Sequence, residues 1–261
     1  MDLRELRLQG NAGGTRHPWE LARLEIAGRL IQKHARRIRS ILDIGCGDGY
    51  LMAGLARRFG AAAAGVDTAA SPEETASANR RFAAAGIKAE MTVSLTAARA
   101  LLPGETADVV LLTDLLEHVE DDTAALAAIA ADPATGSSVF IITVPAFMRL
   151  FSEHDRQLRH FRRYTKAELE RTAGSAGLEI LESGYFFTGL AAVRFMQKVS
   201  ERPQGHAGDF SGVALWKYGR AAAALAAKLL ILEFMLTGFL RRAGVACPGL
   251  SAYAICKKQL L

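Results

Sequence analysis

The chain has 261 residues, half of them hydrophobic, and a formal net charge of +5. That size buries the core of one large domain with an elaboration, and it excludes a small scaffold held by disulfides or metal. Cys46, Cys247 and Cys256 are too few and too scattered for a disulfide framework or a zinc site, and read as buried thiols of a reducing compartment.

Residues 1–18 are polar and glycine-rich around "QGNAGGTRHP" and read as a flexible arm. The opening stretch has no apolar segment of the kind a secretory signal needs, so the expected location is cytoplasmic. Pro18 then stands where a helix can begin, and "WELARLEIAGRLIQKHARRI" sets Leu21, Leu24, Ile26, Leu30 and Ile31 on roughly one face with arginines on the other. From residue 40 apolar runs alternate with helical patterns. "SILDIG", "AAAAGVD", "IKAEMTVSL", "ADVVLLTD" and "SSVFIITVP" read as strands. Between them "GYLMAGLARRFG", "SPEETASANRRFAAAG" and "DDTAALAAIAAD" read as helices, the first closed by Gly60 and the second opened by Ser71 and Pro72. The alternation predicts an α/β fold: a mostly parallel sheet with helices on both faces.

After Pro145 the rhythm breaks into the polar "AFMRLFSEHDRQLRHFRRYT", at the carboxyl end of a strand, where open α/β sheets put their ligands. A helix "KAELERTAGSAG" capped by Thr165 and a strand "LEILESGYFF" follow. A helical region with a charged interruption, "SERPQGHAGDF", then precedes a last strand, "LSAYAICKK". Within that region "AAAALAAKLLILEFMLTGFL" has the length of a membrane span, but Lys228 and Glu233 interrupt it, so it reads as a buried or interfacial helix.

The motif with most chemical content is "LDIGCGDG". A glycine-rich turn between strand and helix lets a ligand approach the backbone, and the helix amino end offers free N–H donors. Gly45, Gly47 and Gly49 give G-x-G-x-G rather than the dinucleotide spacing, and Asp43 before them repels phosphate but suits an ammonium. Asp67 ends the second strand in "GVD", and "VVLLTDLLEHVED" carries acids and a histidine past the end of the fourth.

Together these stretches resemble the motifs of class I S-adenosylmethionine-dependent methyltransferases, over about residues 25 to 185 and the final strand. The resemblance implies a Rossmann-like, mostly parallel seven-stranded sheet, with residues 19–186 and 250–261 as the core and 187–249 as a helical insertion. It also implies S-adenosyl-L-methionine as methyl donor. Asp43, Gly45, Cys46, Gly47 and Gly49 then hold the methionine portion, and Asp67, with Thr68 beside it, holds the ribose hydroxyls. Ser94 and Leu95 fall near the adenine, where many relatives carry an Asp, and Thr113 and Asp114 complete the donor side.

Asp114, Glu117 and His118 further resemble an acidic-x-x-Glu-His pattern of ubiquinone-biosynthesis O-methyltransferases, where such residues can bind a divalent ion. The same residues equally make a helix start with acids in its first turn, so no metal ligands are assigned. His118 and His154, both at strand carboxyl ends, are the candidate general bases. "SEHDRQLRHFRRYTKAELE" resembles a segment of a group of bacterial methyltransferases and supplies Asp155, His160, Arg162, Arg163 and Tyr164 for the acceptor. The arginines suit a carboxylate or phosphate on it.

The expected activity is methyl transfer to an oxygen, or else a nitrogen, of a small-molecule, glycosylated or lipid-linked acceptor. The alternatives are a nucleic-acid methyltransferase, which lacks support because the basic clusters carry no interleaved aromatics, and a non-catalytic donor-binding subunit. Aromatic and basic residues of 187–249 suggest a substrate cap, a homodimer surface or a peripheral contact with the inner face of a membrane.

Overall fold

The computed structural model describes residues 15–200, 216 and 218–259. Nearly all of the expected arm, and most of the charged interruption within 187–249, lie outside the described residues. Pro18 does open the first helix, α1 (Pro18–His34), where its missing N–H costs no hydrogen bond. Among the described residues there follow β1 (Ser40–Ile44), α2 (Tyr50–Phe59), β2 (Ala62–Val66), α3 (Pro72–Ala84), β3 (Ala89–Thr92), α4 (Leu95–Ala100), β4 (Val109–Thr113) and α5 (Asp122–Ala131). Then come β5 (Val139–Pro145), α6 (Glu153–Gln157), α7 (Lys166–Ser175), β6 (Leu178–Phe186), α8 (Thr188–Ser200), α9 (Arg220–Arg242) and β7 (Ser251–Lys258).

The strands form one seven-stranded sheet in the order β3-β2-β1-β4-β5-β7-β6, parallel except for β7, which runs antiparallel between β5 and β6. Strand order reverses between β1 and β4, which brings the carboxyl ends of β1, β2, β4 and β5 to one rim around a switch point. Two apolar cores cover the faces. One joins α1, α2 and α9 to the sheet through Ile26, Ile31, Met52, Leu55, Phe234 and Tyr253. The other lies under α4, α5 and α7 around Leu112, Leu126, Phe140 and Leu169.

Local chemistry sets the boundaries. Ser71 and Thr165 each close a capping box, with Glu74 and Glu168, and Gly60 ends α2 in the left-handed region. Three expectations need correction. The third strand stops at Thr92, because Leu95 already begins α4. Asp114, Glu117 and His118 are not the first turn of a helix. Leu116–His118 form a single 3-10 turn, Glu117 is fully buried, and α5 starts only at Asp122, capped by the Asp121 side chain. Arg23 of α1 does not sit with the solvent-facing arginines but turns inward to pair with Asp114.

Candidate active site

The loop between β1 and α2 needs its glycines for conformation and for space. Gly45, Gly47 and Gly49 have φ of 77°, 57° and 72°, a region that disfavours other residues. A Cβ on Gly45 would stand 2.9 Å from Leu115 Cδ1, and one on Gly49 would stand 2.6 Å from Phe82 Cζ. The loop folds against β2, with Gly45 N–H donating to Val66 O at 2.8 Å. Asp67 fixes the loop from the neighbouring strand end: its Oδ2 accepts from Gly47 N and its Oδ1 from Ala69 N, each at 2.9 Å.

Asp43 lies one layer deeper. It is 1 % exposed, and its Oδ1 has no hydrogen-bond partner. Burial, reinforced by Asp67 and Asp48, pushes its carboxyl up to about 7. Cys46 is also buried, and burial beside these acids raises its thiol far above the ordinary range, so it is no nucleophile.

Above the loop opens a cavity of about 660 Å³. Its wall includes Gly45, Cys46, Asp67, Thr68, Leu95, Thr113 and Asp114 from the ends of β1, β2 and β4 and the start of α4. It also includes Glu117, His118, His154, Asp155, Arg159, His160 and Arg163. The cavity wall does not include Ser94, which occupies the N-cap position of α4 without making a side-chain cap bond. Arg162 and Tyr164 turn away from the cavity to Asp122, which pairs with Arg162 at 3.1 Å and accepts from Tyr164 Oη at 2.7 Å. Tyr164 is thereby part of the core, 2 % exposed, and burial with the Asp122 contact pushes its phenol well up.

Asp155 organises a cluster of polar side chains in this wall. It accepts from Arg163 Nε at 2.8 Å and from Arg163 Nη2 at 3.0 Å, in a two-pronged pair, and from Ser152 N at 2.8 Å. Its Oδ1 also bonds His160 Nδ1 at 2.9 Å. Burial works against this charge, but hydrogen bonds from His160, Arg163 and Ser152 outweigh it and hold the carboxyl well below the usual range. With Asp155 ionised, Nδ1 of His160 is the donor and Nε2 is left to accept a proton. His118 stands edge-on to His160, with ring centroids 4.6 Å apart.

Three features escaped the sequence. Trp19, Glu20 and Arg23 of α1 form part of the wall, with Arg23 over the Trp19 ring at 5.3 Å. Asp114 and Arg159 line the cavity in left-handed conformations, φ 54° and 61°, which are strained for side chains with a Cβ. Glu117 is fully buried with neither carboxylate oxygen bonded, and burial together with Asp114 raises it well above the ordinary carboxylate range. Among the described residues its ligand atom, with those of His118 and His160, forms one group within 4.8 Å that could hold a metal ion, while Asp114 is taken up by Arg23.

A family model described as a methyltransferase domain matches residues 16–183. The chain belongs to the methyltransferase domain family. One curated relative, a ubiquinone biosynthesis O-methyltransferase of Rhizobium etli, is 32 % identical over 164 residues, which are 58 % of this chain and 64 % of that protein. The chain thus spans a little under two thirds of that relative's length. Among solved structures, a geranyl diphosphate C-methyltransferase from Streptomyces coelicolor A3(2) aligns with a TM-score of 0.54 at 12 % identity, over 90 % of this chain and 80 % of that one. An S-adenosylmethionine-dependent methyltransferase from Clostridium acetobutylicum aligns with a TM-score of 0.52 at 12 % identity, covering 94 % and 93 %. At such identities the solved structures establish the fold, which is the class I methyltransferase fold.

Proposed function

We propose that this methyltransferase moves a methyl group from S-adenosylmethionine to an oxygen of a small-molecule acceptor. The observation that carries the reading is that one cavity is walled both by Gly45 and Cys46 of the glycine loop with Asp67 and by a histidine anchored by a buried carboxylate. The donor fits the glycine loop. The three left-handed glycines let a ligand approach the backbone, Asp43 beneath them, whose Oδ1 has no hydrogen-bond partner, would take an ammonium, and Asp67 would take the ribose hydroxyls. Leu95 rather than Ser94 faces the adenine, so that end is held by apolar contact and backbone.

When bound, S-adenosylmethionine supplies an electrophilic methyl on a sulfonium. The protein's own residues then act on the acceptor. Arg163 and Ser152 keep Asp155 ionised, and Asp155 fixes His160 as the tautomer with Nε2 open. His160 Nε2 takes the proton of the acceptor hydroxyl as the oxygen attacks, and Asp155 steadies the resulting imidazolium. His118, packed against the His160 ring, and His154, on the same wall, orient the acceptor. Holding the acceptor in line is worth effective molarities of about 10⁵ M or more in model reactions. The wall's Trp19, Leu115, Val119, Leu158, Phe161 and Leu250 give the acceptor an apolar surround, which suits a compound with an aromatic or lipid-linked portion. The O-methyltransferase relative supports oxygen as the receiving atom.

The test is incubation of the protein with a metabolite extract and isotopically labelled methyl donor, followed by mass spectrometry of the products. Label on a hydroxyl oxygen is the expected outcome; label on nitrogen alone, or on nothing, would refute the reading. With that acceptor in hand, His160→Ala should lower kcat by about 10²- to 10⁴-fold and leave donor affinity intact. Asp155→Asn, which removes the charge that steadies the imidazolium, should move the acidic limb of the pH–rate profile, where a general base is lost to protonation. Undiminished turnover in His160→Ala would take the base from His160.

A further inference from the structure

Helix α9 has 23 residues and, among the described residues, meets the rest of the protein along one side only. Ala223, Ala227, Phe234 and Thr237 are buried against the body, where the helix runs beside α1. The opposite side carries Leu225, Leu229, Leu232, Met235, Leu236 and Phe239, between 51 % and 70 % exposed. Their spacing places them on one continuous stripe along the helix. Soluble proteins rarely leave so long an apolar stripe bare, and such a stripe marks a contact surface.

The charges around the stripe say what covers it. Arg220 and Arg242 stand exposed at its two ends, Lys228 lies along it, and Arg29 of α1, whose Nε pairs with Glu25 at 2.7 Å, reaches its edge at Met235, 3.5 Å from the sulfur. The one acid of α9, Glu233, is withdrawn from the stripe. Its carboxylate accepts from the backbone N–H groups of Thr188 and Gly189, at the start of α8. The ionic groups that α9 presents outward are therefore all positive. A second copy meeting this face across a two-fold axis would set like charges against each other. An anionic lipid surface would meet every one of them with opposite charge while taking up the leucines and Phe239.

We infer that the outer face of α9 docks in the plane of an anionic membrane surface, with Arg220, Lys228, Arg242 and Arg29 among the headgroups. The helix is long and apolar enough to cross a bilayer, yet its buried side and the Glu233 contacts hold it lengthwise against the protein. Docking in plane keeps those contacts; crossing would break them. Arg194 of α8 is part of the cavity wall, and the amino end of α8 hangs on Glu233, so the docking helix and the cavity are joined by one short element. The inference stands independently of the methyl-transfer reading.

The experiment is flotation of the full-length protein with phosphatidylcholine vesicles, with and without phosphatidylglycerol, with no donor or acceptor present. Flotation that requires phosphatidylglycerol and is reversed by salt or alkaline carbonate is expected. Leu229→Glu with Phe239→Glu changes only exposed side chains, and should lower vesicle partitioning by about tenfold or more with an unchanged circular dichroism spectrum. Arg220→Glu with Arg242→Glu should weaken it in the same direction. The inference is overturned if the protein fails to float with phosphatidylglycerol, if either pair of substitutions leaves flotation unchanged, or if carbonate fails to release it. A dimer in solution that Leu229→Glu with Phe239→Glu splits, with no vesicle binding by the wild-type chain, would assign the face to a second copy instead.

Discussion

Asp43 carries a testable consequence of its depth. With its carboxyl pushed up to about 7 by burial, it is only partly ionised at neutral pH, yet an ammonium in the loop above needs it charged. Donor affinity should therefore rise as pH increases through about 7 and level off beyond, with a proton released on binding. Calorimetry in buffers of different ionisation enthalpy reads both effects, and Asp43→Asn should flatten the dependence. Asp67→Ala removes the acceptor proposed for the ribose and the tie on Gly47, so donor binding should weaken by about tenfold or more. Equal affinity would end the ribose assignment. Both acids were legible in the sequence because a glycine turn directly after a strand fixes where the preceding and neighbouring carboxylates fall. Glu117 and Arg23 were not. Their environments come from elements far apart in the chain: Arg23 meets Asp114 across 91 positions, and no local spacing announces that.

Elements were legible where they were long and periodic. The apolar runs of β4 and β5 and the capping boxes of α3 and α7 are written in consecutive residues. The short α4 and α6 were not, since six and five residues show no period. Nor does any local signal state that β7 inserts antiparallel between β5 and β6, a placement made by long-range pairing. Its entry depends on Gly249. A Cβ there would stand 2.3 Å from Phe186 O and 2.8 Å from Phe186 C, and both are backbone atoms that cannot rotate aside. The adjoining Leu250 N–H donates to Phe187 O at 3.2 Å, so the strand end and the start of α8 are clamped together. Gly249→Ala should cost about 1–3 kcal/mol through overpacking, a fall of about 2–4 °C in Tm per kcal/mol for a domain of this size. A thermal melt indistinguishable from wild type would show that the clamp yields.

At the scale of the whole molecule, three buried carboxylates and the half-buried Glu182 pull stability in opposite directions with pH. Asp43 and Glu117 sit above the ordinary carboxylate range, so the fold binds their protons more tightly than the unfolded chain does. Their contribution grows as pH falls from about 7 towards 4. Asp155 and Glu182 sit below it. Burial opposes the Glu182 charge, but hydrogen bonds from Lys33, from His34 at 2.8 Å and from Tyr253 at 3.0 Å outweigh burial and bring it to about 2. Stability from Glu182 is complete above its ordinary value near 4.5 and drains away as pH falls towards 2. The melting temperature should accordingly pass through a maximum near pH 5 and fall steeply below about pH 4. Glu182 joins the end of α1 to β6 and, through Tyr253, to β7, so Glu182→Gln should lower Tm at neutral pH by the loss of about 1–3 kcal/mol. It should also make the acid limb shallower, because one of the groups that must be protonated there is gone. Scanning calorimetry across pH separates the two effects. A neutral-pH loss with an unchanged acid limb would mean that Glu182 holds α1 by shape rather than by charge.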